Sequence, residues 1–122
     1  MEMIKDEKRA FFLLMCLMLH YHGLDEHEQN IINYEASQHA EGENLKEWAL
    51  EFIKSDYLNI FERAKKELNH IPLQPATRLN HLLKVWDLLH IKGYITEMEA
   101  TAMIRIAAEW ELQEKLIQQV RP

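Results

Sequence analysis

Residues 10–19 read AFFLLMCLML, ten apolar positions without a polar one between them. A surface helix buries a single stripe, so a run apolar on every side predicts a helix at the centre of a bundle, over residues 5–22. Gly23 ends it. From there apolar residues recur at the three- and four-residue spacing of amphipathic helices. Ile31, Ile32, Ala36 and Ala40 mark a helix that starts after Asp25 and fades near Glu41-Gly42. Leu45, Trp48, Ala49 and Phe52 follow an expected N-cap at Asn44, with Glu47 three residues on. Ser55-Asp56 predicts a break, after which Tyr57, Ile60, Phe61, Ala64 and Leu68 resume the spacing.

Residues 69–75 hold Pro72 and Pro75 and predict a connection, with Pro75 in the first turn of the next helix. Leu79, Leu82, Leu83, Trp86 and Leu89 form that helix's stripe, and Gly93 stops it. Ile95, Met98, Ala102, Ile106 and Trp110 carry the next stripe. Leu112, Leu116 and Val120 mark a last short helix over residues 111–120. No segment alternates apolar and polar residues between turn signals, as a strand would. The expected fold is all-α, a single helical-bundle domain of five to seven helices over residues 1–122.

Charge narrows the partners. With a formal net charge of −6 and basic residues interleaved among acids, as in Lys5, Asp6, Glu7, Lys8 and Arg9, the chain lacks the basic footprint that nucleic acid requires. Cys16 is the sole cysteine, which excludes an intramolecular disulfide and points to a reducing, cytoplasmic setting. It lies inside the apolar run and is expected to be a buried thiol. That run is too short to cross a bilayer, for which about 20 residues are needed. As a signal sequence it has acids before it and the bulky His20-Tyr21-His22 after it, so neither leader nor membrane span is expected.

Two stretches repeat one arrangement, over about residues 10–40 and 79–110. Each is a helix, a glycine and a second helix with a carboxylate in its first turn. Gly23 faces Gly93, and His20 faces His90. The second copy has one extra residue after the glycine, so Asp25 faces Thr96 and Glu28 faces Glu99. Local chemistry accounts for the pattern. A glycine past a helix takes the left-handed conformation, and an apolar residue, Leu24 or Tyr94, packs back behind it. His20, His22, His90 and Lys92 are cations suited to a helix C-terminus. Asp25-x-x-Glu28 and Thr96-x-x-Glu99 have capping-box spacing. A β-branched residue is therefore expected to cost more at Gly93 than at Gly42.

The corner Lys92-Gly93-Tyr94-Ile95-Thr96-Glu97-Met98-Glu99, followed by AMIRIAAEWEL, and more weakly the stretch from His22 to Glu28, resembles the TerB-like family. These are small helical domains named from bacterial tellurite-resistance clusters and also found on DjlA-type co-chaperones. The resemblance covers about residues 10–116. It implies a non-enzymatic interaction domain in bacterial stress or tellurite and metal-ion response, working through a protein partner, a peripheral membrane complex or a second copy of itself. It equally implies divalent-metal binding or sensing by acids at the corners. Glu28 and Glu99 carry over directly, with Asp25, Glu26 and His22 beside them. Where the family has an acid before each glycine, this chain has His22 and Lys92, which oppose a hard cation.

Other chemistry finds less support. His20, His22 and His27 offer imidazoles for a transition metal, although residues two apart on a helix point to different sides. Glu35 and His39 could share a helix face. Glu67-Leu68-Asn69-His70 has the Glu-x-x-His spacing of di-iron bundles, but one such motif cannot make that site. A His–carboxylate catalytic site would need a pocket gathering His39, His70 or His81. No nucleophile elbow or phosphate-cradling glycine loop occurs, and no enzyme is expected. Trp48, Trp86 and Trp110 lie on apolar stripes and are expected in the core.

Overall fold

The computed structural model describes residues 5–21, 23–91 and 93–121. His22, Lys92 and the side chain of Tyr57 lie outside the described residues. All regular structure among them is helical: α1 (Lys5–His20), α2 (Glu26–Ser37), α3 (Gly42–Ser55), a 3-10 turn (Tyr57–Asn59), α4 (Ile60–His70), α5 (Pro75–Ile91), α6 (Glu97–Glu109) and α7 (Gln113–Val120). None of these helices is long and apolar enough to cross a membrane.

The apolar run is the axis of the fold. Every residue from 10 to 19 is buried, and α2, α3, α4, α5 and α6 all pack against α1. Each fully buried Phe, Leu or Met here contributes about 1.5–3 kcal/mol relative to exposure. The shell closes through α2 on α3, α3 on α4 and α5 on α6, with α7 resting on α5 and α6. The break at residues 55–56 is present, and Ser55 Oγ, bonded to the Phe52 carbonyl at 2.8 Å, accepts from Arg63 Nη1 at 2.7 Å. Pro75 opens α5 as its spacing predicts, one turn before Arg78 reaches back to the Ile71 carbonyl at 3.3 Å.

Four expectations need correction. First, α2 stops at Ser37, short of Glu41-Gly42, and Ala40 is exposed. Asn44 is not the cap of α3, because the helix begins two residues earlier and Glu41 occupies the cap position at φ 61° without a side-chain bond. The cause is Gly42, whose backbone lies directly on Ala36: an added Cβ would run into the Ala36 carbonyl oxygen and stand 2.9 Å from its Cα. The whole reversal is thereby compressed into residues 38–41. Second, α7 begins at Gln113 rather than Glu111, since Glu111 takes φ 58° and ends α6. Its N–H donates to Ala108 O at 3.0 Å and that of Leu112 to Ala107 O at 2.8 Å, the double closure that usually places glycine at such a position.

Third, the tryptophans are half-buried and not in the core. The Arg9 guanidinium lies 4.9 Å from the Trp48 ring and that of Arg78 4.8 Å from Trp110, so arginines cover ring surface the core leaves open. Fourth, Met98 faces out at 61 % exposure.

Candidate functional site

Both corners are built from backbone geometry. Gly23 and Gly93 have φ of +94° and +106°, and their N–H groups donate to the His20 and His90 carbonyls at 2.9 and 3.0 Å. Leu24 packs half-buried against the core behind the first glycine. Behind the second, Ile95 does so and Tyr94 is exposed, contrary to expectation. The extra residue between Gly93 and Thr96 shifts the inward position by one.

The acids that follow serve the helix starts. Asp25 Oδ1 accepts the backbone N–H groups of His27 and Glu28 at 3.0 and 3.2 Å. Glu99 Oε1 accepts from the Thr96 N–H at 2.8 Å and from its hydroxyl at 2.9 Å, and Thr96 Oγ1 accepts the Glu99 N–H at 3.2 Å. That reciprocal box was legible as spacing. The depth was not: Glu28 and Glu99 are 1 % and 0 % exposed, whereas Asp25 and Glu26 are exposed.

A hard cation asks for six or more oxygens. Here Asp25 and Glu99 each spend an oxygen on helix donors, and Glu28 and Glu99 stand on different corners. Among the described residues no group of three His, Cys, Asp or Glu side chains is placed to hold a metal ion. They do not by themselves form a cage, and His22, the remaining candidate, lies outside them.

His20 is not the helix-end cation that its position suggests. Its Nδ1 contacts the Leu17 carbonyl, its ring lies 4.3 Å from that of Tyr21, and burial lowers its pKa. His27 is exposed. Glu67 is committed to Arg9 at 3.2 Å, and His70 is exposed, so the Glu-x-x-His spacing is not a ligand pair here.

Two of the three histidines considered for catalysis do come together, around Phe11. The His39 and His81 rings lie 6.2 and 5.6 Å from it, and Lys84 Nζ sits 4.7 Å from its centre. Glu35 Oε2 holds both His39 Nε2 and Lys84 Nζ at 3.4 Å. His81 is buried with Nε2 unpartnered among the described residues, and burial, aided by the Lys84 charge, pushes its pKa down to about 4. It is therefore neutral at pH 7 and too weak a base for general acid–base work, whose best pKa lies near the operating pH. Cys16 is equally inert, its thiol pushed up to about 12 by burial.

What the sequence reading missed is on the surface. Tyr34 and Ile91 are 65 % and 62 % exposed and line one groove of about 280 Å³ with Ile31 and Leu88, between α2 and α5. Tyr94 and Met98, also exposed, follow Ile91 in the chain, and Met98 lines a separate groove with Tyr21, Ala102 and Arg105. A signal existed: Tyr34 and Ile91 each fall three residues after a buried neighbour, Ile31 and Leu88, about 60° around the helix, so they widen those stripes at the edge instead of joining their centre. Compared with family models, curated proteins and solved structures, the chain gives no match.

Proposed function

We propose that this chain is a non-enzymatic interaction domain of TerB-like character that docks a protein partner through the apolar side chains around its second corner. The observation that carries the reading is the exposure of Tyr34, Ile91, Tyr94 and Met98, three of them within the eight residues 91–98. Large apolar side chains that adjoin on a surface mark an interaction site, whereas scattered ones carry no such meaning. Tyr34 and Ile91 adjoin in one groove, while Tyr94 and Met98 stand within seven residues of Ile91 in the chain. The buried core does not need these four, since α1 and its neighbours are filled without them. The corner resemblance to TerB-like domains supports the same reading and makes bacterial stress or metal-ion response the setting in which to seek the partner.

Affinity capture with the native chain and with Ile91→Ser and Met98→Ser tests this. The expected result is one partner retained by the native chain and lost by both variants at unchanged thermal stability. Capture unaffected by either change removes the proposed face. A metal titration decides against the divalent-ion alternative or for it. Saturable amide shifts at Glu28 and Glu99 with micromolar Ca²⁺, Mg²⁺ or Zn²⁺ would make the corners a metal site and this reading wrong.

A further inference from the structure

On another side of the molecule, α2, α3 and Leu24 enclose a groove of about 430 Å³, within the usual range of small-ligand sites, roughly 300–1,000 Å³. Its apolar lining is Leu24, Ile32 and Leu50, and its polar lining is Gln29, Asn33, Lys46 and Lys54, with no acid among them. In a chain of net charge −6 that is a local reversal of sign. The two ammonium groups differ in their commitments. Lys46 is held by Glu43 at 2.7 Å and by Asn33 Oδ1 at 2.9 Å. Lys54 has no hydrogen-bond or ion-pair partner among the described residues. With Glu43 balancing Lys46, the groove presents one uncompensated positive charge beside an apolar wall.

We propose that this groove binds a small monocarboxylate with an apolar body, its carboxylate on Lys54 and its hydrocarbon along Leu24, Ile32 and Leu50. A single negative charge matches the one unpaired ammonium. A phosphate-rich ligand would bring more charge than the groove can meet, into an acidic chain that offers no arginine there for bidentate contact. Asn33 and Gln29 supply carboxamides, though the Gln29 amide already donates to Leu24 O at 2.7 Å, so Asn33 is the freer donor. The same chemistry, one carboxylate on an apolar residue, occurs at a peptide C-terminus.

Amide NMR titration of the full chain with octanoate tests the proposal. The expected result is saturable shifts at Leu24, Asn33 and Leu50, with octanol about tenfold weaker, as loss of a charge-assisted hydrogen bond implies. Lys54→Gln should weaken octanoate by about the same factor and leave octanol unchanged, whereas Lys66→Gln on α4 should change neither. A short peptide ending in leucine carboxylate, compared with its C-terminal amide, tells the two sources apart: tighter binding than octanoate assigns the site to a chain terminus, weaker to a free carboxylate. Octanol binding as well as octanoate, no effect of Lys54→Gln, or no saturable shift with any probe overturns it. These residues are not those of the second-corner face, so the two readings fail separately.

Discussion

Replacing Gly42 by alanine drives a methyl group into the Ala36 carbonyl oxygen and sets it 2.6 Å from the carbonyl carbon. The obstacle is backbone at the end of α2, so no side chain can swing aside, and the start of α3 must move off α2. Overpacking of this kind costs about 1–3 kcal/mol, and more where backbone must shift. Alanine's better helix propensity returns up to about 1 kcal/mol. The expected net loss is about 2 kcal/mol, or roughly 5–10 °C in Tm for a chain of this length. Gly93 behaves differently, with nothing within 4 Å of an added Cβ and the strain lying in its φ of +106°, so the expectation of a larger cost at Gly93 than at Gly42 does not hold once Ala36 is in place. There alanine should cost about 1–2 kcal/mol and asparagine, which tolerates positive φ, distinctly less. At Gly42 asparagine should be no better than alanine. Thermal and urea unfolding followed by circular dichroism at the helix band reads all four variants. A Gly42→Ala protein as stable as the native chain, or an asparagine advantage at position 42, would refute the close approach of α3 to Ala36.

Three further outcomes are expected. His81 holds its folded pKa near 4 against an ordinary 6.5. The unfolded chain thus takes up a proton below pH 6.5 that the folded one refuses until about pH 4. Stability is complete above that range and falls as pH drops through it, by at most about 3 kcal/mol. His81→Leu should flatten this slope in pH-dependent urea unfolding, and an unchanged slope would count against a buried neutral His81. Thr96→Ala removes the hydroxyl half of the α6 cap and leaves the backbone N–H of residue 96 on Glu99 Oε1. It should cost about 0.5–2 kcal/mol, with hydrogen exchange accelerated first at Glu99, whose N–H loses its acceptor. The Cys16 thiol should react with a thiol reagent only at the rate of unfolding, and rapid modification of the native chain would contradict its burial on α1.

Much of the architecture is legible because it is local. Ten apolar residues in a row admit few places but the centre of a helical bundle, and positions 10–19 are there. Pro75, the break at 55–56 and the two glycine stops are set by backbone chemistry within a turn or two, and they too stand where spacing puts them. The errors come from contacts between elements. A glycine required by positive φ and one required by close approach are the same letter, and only the position of Ala36 separates Gly42 from Gly93. Asn44 had good capping chemistry but lost the start of α3 to that approach. Met98 fits a helical stripe, yet in the first turn of α6 it stands exposed at the stripe's edge although Ala102, one turn on, is buried. At the corners, Glu28 and Glu99 were legible as early-helix acids, while their burial depends on how α2 and α6 settle on α1. The grooves depend wholly on tertiary placement: Leu24 and Lys54, about thirty residues apart in the chain, meet at one cavity because α3 folds back along α2.

The central claim is that the second-corner face is a docking site for a protein. A photo-crosslinking residue at position 91, introduced into the chain in its native cells, tests this most directly, with the same residue at position 58 as control. Leu58 is 92 % exposed, more than Ile91 at 62 %, so exposure alone favours the control. The account predicts one discrete adduct from position 91, absent from position 58 and abolished by Met98→Ser. Equal adducts from both positions, or none from position 91, would contradict it.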